Sequence, residues 1–485
     1  MDAGLQARPS GPRPSSVGAL QAESFPLCVH RPEDTVAWSR AQRINCLTFL
    51  SHVEHVARQL PGKGHAVNLC DDRYHFLVTF CAVLLRRQTN ALPHGRTDAA
   101  IAECARQFPD SYLITDNHID GVAYSLGTVS GAGSLVSTPE IPGDHTAAVL
   151  FTSGTTGVPR AHSQSWSNLL ARASVTRDRL RIEPQASIIA TVPPQHMFGL
   201  ETSVMLPLVS RACTDARRPF FPSDVRDALS LTHAPRVLAI TPVHLRACLE
   251  AGLQWPDVRF LLSATAPLSV PLAERAEQTF RAPLLEIYGS TETGAIATRR
   301  TAKEDSWCLC DGLALSQHEG QIRLTGPWLR EGFVLQDQVE PTGVDRLRLL
   351  GRSCDLVNIA GKRGSLADLT NKLLDVDGVV DGVLLADDES GRPLPRLSGL
   401  VVAPGLSKRE VIRALARQVD PVFLPRPLYM VSELNRNASG KLPDRRIHAM
   451  LKTARRNCAL ETREVPQRVE VGSELRRKVR PTFVP

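Results

Sequence analysis

The 485-residue chain has no run of about 18 apolar residues that could span a bilayer. Its first 25 residues contain Pro, Gly and Ser but no apolar core of signal-peptide length, so they read as a flexible N-terminus on a cytoplasmic protein. The alternative for that stretch is an Arg-rich, acid-poor targeting segment. There is no C-x-x-C pair: the cysteines are scattered, and the only close pair is Cys308/Cys310. Structural zinc wants two tight ligand pairs, and a disulfide scaffold wants a short chain with an even count, so neither is expected. The thiols should instead be buried as small hydrophobes in a reducing compartment. A Walker A loop is missing, and so is the G-x-S-x-G elbow of serine hydrolases. No zinc finger, basic zipper or aromatic-rich sheet motif points to nucleic acid, and no internal repeat is present.

What is present is ordinary globular material: 42% hydrophobic, 22% charged, 32 Gly and 35 Pro. Disordered and collagen-like chains are thereby excluded. At roughly 100–200 residues per domain, the length predicts two to four domains. The 57 Lys+Arg and 50 Asp+Glu leave a net charge of +7, and it is unevenly placed. Residues 353–485 hold 23 basic and 16 acidic side chains, the entire surplus, while residues 1–352 hold 34 of each. Residues 452–485 alone carry 9 basic and 4 acidic and read as a mobile basic tail with at most one short helix. That tail is either a solvated extension or a handle for an acidic partner such as a carrier protein.

From about residue 26 to 352, short apolar runs alternate with amphipathic stretches. Strands are expected at His65–Cys70, Ser111–Thr115, Ala147–Thr152, Ser187–Val192, Val237–Thr241, Val258–Ser263 and Leu284–Tyr288, and helices at Trp166–Arg181 and Pro242–Leu253. That alternation predicts parallel sheets covered on both faces. Beyond residue 320, Gln321–Thr325 and Arg346–Leu350 read as strands close enough to pair locally. After the break at 351–355 comes a compact unit with strands at Gly382–Ala386 and Leu397–Val402, and a helix opening at the Ser407/Glu410 capping box. The fold class is therefore α/β, with a large body and a small α+β unit.

The most informative segment is Ala148–Arg160, AVLFTSGTTGVPR, in which an apolar strand runs into Thr152, Ser153, Gly154, Thr155, Thr156 and Gly157. Its glycines let backbone N–H groups turn toward one point, its hydroxyls add donors, and it offers no anion, so a polyphosphate would be welcome. Alone, such a loop is more often a plain hydrophilic turn. Its company changes the reading: Tyr288-Gly-Ser-Thr-Glu-Thr-Gly294 follows another apolar strand, GRSCDLVNIAGKR spans 351–363, and Asn437-Ala-Ser-Gly-Lys441 lies near the end. In this order, over about residues 145–450, the strings resemble the signatures of the adenylate-forming (ANL) superfamily of acyl- and aryl-CoA synthetases, peptide-synthetase adenylation domains and luciferases.

The resemblance implies a flexible 1–25, an ATP- and carboxylate-binding body over 26–352, a mobile lid over 353–451 and the basic tail over 452–485. It implies an AMP-forming acid–thiol ligase that turns a carboxylate and MgATP into an acyl adenylate and pyrophosphate, then passes the acyl group to a thiol. An anionic carboxylate must approach a polyanion, so catalysis rests on positioning and charge neutralisation. Carried over by motif, Thr152 to Gly157 would hold the β- and γ-phosphates, with Arg160 closing the loop. Thr291 would bond the α-phosphate and Glu292 would hold Mg²⁺. Tyr288, with Gly289 and Ser290, would face adenine across from Ser263, Ala264 and Thr265. Asp337 and Arg352 would take the ribose. Lys441, on the lid, would bridge the attacking carboxylate and the α-phosphate. A Gly-Lys pair alone would read as a surface turn; its flanks make it catalytic.

His196, in VPPQHMFG, would stand among the catalytic groups beside the acyl pocket, without acting as a general base. Phe198, Thr241, Ala264 and Ala295 are placed by motif proximity as further contacts to the acid. Cys354 or Asp355 would serve as hinge pivot, and Gly361 would allow close approach of a pantetheine arm. Three departures from the family pattern stand out: Arg160 replaces the usual Lys, Asp337 sits in LQDQ instead of T-G-D, and Cys354 occupies the usual Asp or Lys hinge position. The acceptor would be coenzyme A or the phosphopantetheine of an acyl carrier protein, the lid-side charge favouring the carrier. The AGKRGSLADL stretch also resembles the stand-alone carrier-protein ligases of aryl-polyene and xanthomonadin-type pigment clusters, which implies a hydroxybenzoate-type acid; a medium-chain fatty acid is the alternative. Arg160 and Cys354 also leave open a non-catalytic nucleotide-binding relic.

Overall fold

The computed structural model describes residues 23–93, 95–123, 126, 137–152, 160–318, 321–352, 356–359, 362–387, 396–436, 440, 442 and 444–461. Two large sheets form the body. In the seven-stranded sheet, Arg160–Ser165 lies at one edge, followed by Thr146–Thr152, Thr89–Leu92, His65–Asn68 and Ser111–Ile114, with two short strands beyond. The interior pairs are parallel, whereas Arg160–Ser165 runs antiparallel to Thr146–Thr152. The Arg73–Leu85 helix is apolar almost all round because it is buried on nearly every side. Its Phe76 and Phe80 share a core cluster with Phe49 and Trp166.

In the eleven-stranded sheet, Ser187–Ala190, Arg236–Ile240, Phe260–Ser263 and Leu284–Ser290 lie side by side in parallel. Ser187–Ala190 and Phe260–Ser263 are buried at every position, which is why they read as continuous apolar runs. Leu284–Ser290 then turns back on Gly294–Arg299 in an antiparallel pair. Trp307–Leu309, Arg346–Arg352 and Asp337–Pro341 complete that side.

The strands and helices expected in the body form with shifted ends; the Pro242 helix, for example, stops at Glu250. Gln321–Gly326 and Arg346–Arg352 each find local antiparallel partners, but in different sheets, so they do not pair with each other. Cys28, Cys46, Cys70, Cys81, Cys104, Cys213, Cys248, Cys308 and Cys310 are buried free thiols. Among the described residues no helix is long and apolar enough to cross a membrane.

The C-terminal unit has its own core, in which Leu369 and Leu373 of one helix meet Leu384, Val401, Val411 and Leu415. Asp381–Asp387 and Arg396–Val402 pair antiparallel, and Leu428–Met430 adds a parallel strand. The helix Lys408–Leu415 opens with the expected box: Ser407 Oγ accepts from the Glu410 N–H, and the Glu410 carboxylate accepts from the Ser407 N–H. The last helix, Asp444–Glu461, runs across the expected boundary at 451/452 because Ile447 and Leu451 pack with Met450 and Ala454 against Leu400. Near the other end, Ser24 and Phe25 already belong to a strand paired with Glu140–Pro142.

Candidate active site

Both body signatures fall where a parallel strand turns back into an antiparallel hairpin. Thr152 ends one such strand and pairs in register with Arg160 on the return. Ser153, Gly154, Thr155, Thr156 and Gly157 lie outside the described residues. Alternation on the returning strand puts Arg160, His162 and Gln164 on one face. His162 Nε2 is 3.1 Å from Thr152 Oγ1 and 3.4 Å from Glu292 Oε1. Gln164 Nε2 donates to the Thr291 carbonyl at 3.3 Å. The strand that leaves the first signature therefore touches the second.

The second hairpin is tight by construction. A Cβ on Gly289 would sit 2.0 Å from the Gly294 carbonyl oxygen, and Gly294 itself has φ +69°. Thr293 Oγ1 accepts from the Ser290 N–H at 3.1 Å, and Trp328 Nε1 donates to the Thr293 carbonyl at 2.9 Å. Below it, Arg172 Nη2 donates to the Glu292 carbonyl at 2.8 Å. Its Nε and Nη1 have no hydrogen-bond partner among the described residues. Glu201 accepts from Thr176 Oγ1 at 2.7 Å and from the Ala295 N–H at 3.3 Å. Burial pulls the Arg172 guanidinium down to about 10 and pushes the Glu201 carboxyl up; the charge of each opposes the shift in the other. A buried ionic floor thus underlies the tip that carries Thr291 and Glu292.

Of the residues expected at adenine and ribose, the structure brings Tyr288, Asp337 and Arg352 together. The Tyr288 hydroxyl donates to Asp337 Oδ2 at 2.7 Å, and its ring lies 5.6 Å from that of Trp307. Asp337 pairs in register with Arg352. On the opposite turn, Ser263 is fully buried, its Oγ without a partner among the described residues. Thr265 holds φ +81°, an outlier for a β-branched residue and the kind of strain that collects at binding sites.

On the expected acyl side, His196 stands at the N-terminal boundary of the short Met197–Leu200 helix without a side-chain capping bond, its N–H donating to the Pro193 carbonyl at 3.2 Å. Phe198 packs with the cluster holding Ala239, Leu262 and Ile287, so the strands leading to Thr241, Ala264 and Tyr288 meet beneath it. Ala264 and Ala295 are nearly closed off. Thr241 is fully buried, and its Oγ1 caps the Pro242–Glu250 helix and lies 2.8 Å from His244 Nδ1. Burial pushes the His244 imidazole down to about 4. The edge of the half-exposed Phe220 ring faces His244 at 5.4 Å.

The C-terminal unit reaches this side of the body. Gly440, with φ +77°, comes so close that a Cβ would lie 3.3 Å from Thr241 Oγ1 and 3.5 Å from Val243 Cγ2. Arg436 anchors the approach: its Nη1 donates to the Gly440 carbonyl at 3.1 Å, while Nε and Nη2 grip the Asp381 carboxylate at 2.9 and 2.7 Å. Nearby, Ser269 Oγ donates to Asp375 Oδ1 at 2.8 Å and Arg246 Nη1 to the Leu374 carbonyl at 3.2 Å. Lys441, Cys354, Asp355 and Gly361 lie outside the described residues. A cavity of about 610 Å³ lies away from all of these groups, on the C-terminal unit, with Arg396, Lys408, Arg426 and Arg455 in its lining. His162, Gln164, Arg172, Glu201, His244 and Arg436 were not singled out by the sequence, because lone polar residues within strands and helices carry no spacing signal.

The model of the AMP-binding enzyme family matches residues 30–312, more than half of the chain. A 4-coumarate–CoA ligase of Halorhodospira halophila is 26% identical over 350 residues, covering 67% of this chain and 82% of that one. A 2-succinylbenzoate–CoA ligase of Bacillus velezensis is 23% identical over 361 residues, 66% and 72% of the two chains. The solved O-succinylbenzoate coenzyme A synthetase from Bacillus subtilis, in complex with ATP and magnesium ion, shares the fold with a TM-score of 0.69 at 20% identity, covering 85% of this chain and 96% of that one.

Proposed function

The chain belongs to the AMP-binding enzyme family, and from that premise we propose that it activates a carboxylic acid with ATP and delivers the acyl group to a pantetheine thiol. A carboxylate oxygen attacks the α-phosphorus, the bond to pyrophosphate breaks, and an acyl adenylate forms. The thiolate then attacks the acyl carbon and AMP leaves, the thiol proton having passed to solvent. The names of the relatives, 4-coumarate–CoA and 2-succinylbenzoate–CoA ligases, support both the ligase chemistry and an acid with an aromatic ring.

In this reading Thr152 and the loop after it, closed by Arg160, hold the β- and γ-phosphates. Thr291 bonds the α-phosphate, Tyr288 packs on adenine, and Asp337 and Arg352 hold the ribose. Magnesium fits the donors present: Glu292 is a partly exposed carboxylate, and the Thr152 hydroxyl lies against the same His162 nitrogen, both hard oxygens of the kind this cation prefers. When bound, the cation supplies neutralisation of phosphate charge. Lys441 brings a second cation from the C-terminal unit and stabilises charge between carboxylate and α-phosphate.

The observation that carries this reading is the seat of Gly440, next to Lys441 in sequence, on Thr241 of the body. Glycine takes this left-handed conformation and close approach without the strain that a side chain would add. The acceptor is an anionic pantetheine carrier. The curated relatives favour coenzyme A, while the basic cavity of the C-terminal unit and the charge surplus of residues 353–485 favour an acidic carrier protein. ATP–pyrophosphate exchange over a panel of hydroxybenzoates, hydroxycinnamates and fatty acids tests the reading, followed by transfer to CoA and to a holo carrier protein. Exchange that depends on an aryl acid supports it; ATP binding without exchange for any acid would reduce the chain to a nucleotide-binding relic.

A further inference from the structure

We propose that His162 is a positioning residue that holds one oxygen of the Glu292 carboxylate, so that the other faces the magnesium-bearing triphosphate. The inference rests on the adenylating reading above and concerns how the two body signatures are held in register. Two side chains from neighbouring elements hold carbonyls at the tip of the second hairpin. Arg172 Nη2 holds the Glu292 carbonyl at 2.8 Å, and Gln164 Nε2 holds the Thr291 carbonyl at 3.3 Å. These pin the peptides on both sides of Glu292 and leave the direction of its side chain to be set. His162 Nε2 sits 3.4 Å from Glu292 Oε1, and among the described residues that carboxylate has no other hydrogen-bond or ion-pair partner.

The same nitrogen is 3.1 Å from Thr152 Oγ1, the last described hydroxyl before the phosphate loop. His162 stands opposite Leu150 and two residues from Arg160, which is itself opposite Thr152. One ring nitrogen therefore stands between the mouth of the first signature, through a hydrogen bond to Thr152, and the acidic side chain of the second, through a charge contact. The side chains of His162 and Glu292 are 18% and 32% exposed, so the contact is partly shielded from solvent. A carboxylate held through one oxygen presents the other in a fixed direction, which is how outer-shell groups orient metal ligands.

The test compares equilibrium binding of MgATP with that of ATP in EDTA, by calorimetry, on the intact chain. His162→Ala should weaken MgATP binding by about tenfold or more, the usual cost of losing an outer-shell partner. Metal-free ATP should bind within about twofold of wild type. His162→Gln, whose Nε2 can replace the ring nitrogen, should recover most of the loss. In a Glu292→Ala background, His162→Ala should have no further effect on the magnesium dependence. Equal weakening with and without magnesium, unchanged binding, or a His162→Ala effect that persists without Glu292 would each overturn the inference while leaving the adenylating reading intact. A wild-type chain that binds no MgATP would overturn both.

Discussion

Gly440 sits at φ +77° with Thr241 Oγ1 close to where a side chain would begin. A left-handed L-residue costs roughly 1–2 kcal/mol, so Gly440→Ala should slow carboxylate-dependent adenylation about tenfold. Transfer from preformed acyl adenylate to a thiol should change little. Equal rates for Gly440→Ala and wild type in both half-reactions would show that the seat on Thr241 is incidental. Beneath that contact, the pKa of His244 is held down to about 4 by burial, against 6.5 for an unperturbed ring. The folded state favours the neutral ring, so the unfolded chain takes up the proton first as pH falls. Stability from this site is present above about pH 6.5 and lost on the way to pH 4, up to about 3 kcal/mol in total. Urea denaturation from pH 7 to 4 should show a steeper loss for wild type than for His244→Asn; parallel curves would contradict it. At this scale the sequence exposed Tyr288 within a dense motif and Asp337 in a stretch that departs from the family pattern, and the fold joins the two by a hydrogen bond. It concealed His162, Arg172 and Arg436. Their importance comes from partners more than a hundred residues away for Arg172 and Glu292, or, for Arg436 in its loop, on the strand that opens with Asp381.

Among the elements, the two antiparallel hairpins matter most. Each turns a parallel strand back into an antiparallel pair where the signatures lie, and each was half legible. The apolar strands Thr146–Thr152 and Leu284–Ser290 showed in the hydrophobic pattern, but their return strands Arg160–Ser165 and Gly294–Arg299 did not. Arg160–Ser165 is polar along most of its length and lies at the sheet edge, so it carries no buried alternation to read. Pairing partners were hidden for the same reason: Gln321–Gly326 and Arg346–Arg352 look alike as strands, and only tertiary packing sends them to different sheets. The anchor of the C-terminal loop belongs to this scale too. Arg436 grips Asp381 through two nitrogens and Gly440 through a third. Arg436→Ala should lower kcat for adenylation about tenfold, with KM for ATP within about twofold. Arg436→Lys should not rescue it, because an ammonium cannot make the forked contact. A rise in KM with kcat unchanged would instead place Arg436 in nucleotide binding.

The whole molecule brings a neutral body, residues 1–352, against a C-terminal part that holds all the surplus positive charge. Charge asymmetry was readable by counting; the seat of one unit on the other was not, since Ser269, Arg246 and Thr241 belong to no motif that names Asp375, Leu374 or Gly440. The helix ending at Glu461 also corrects where the basic tail can be cut, because Ala454 packs within it. Removing residues 462–485 should slow transfer to an acidic carrier protein more than transfer to CoA, and the difference should shrink in high salt. A salt-independent difference, or none, would contradict an electrostatic role for the tail.

The measurement that bears most directly on the whole account follows both half-reactions of Lys441→Ala in single turnovers. Formation of acyl adenylate from MgATP and acid should fall roughly 10²-fold or more, the scale of losing one preorganised charge-stabilising donor. Thioester formation from synthetic acyl adenylate should keep its wild-type rate. Equal loss in both steps, or adenylation untouched, would contradict the proposal that the C-terminal unit delivers a cation to a nucleotide held by the body.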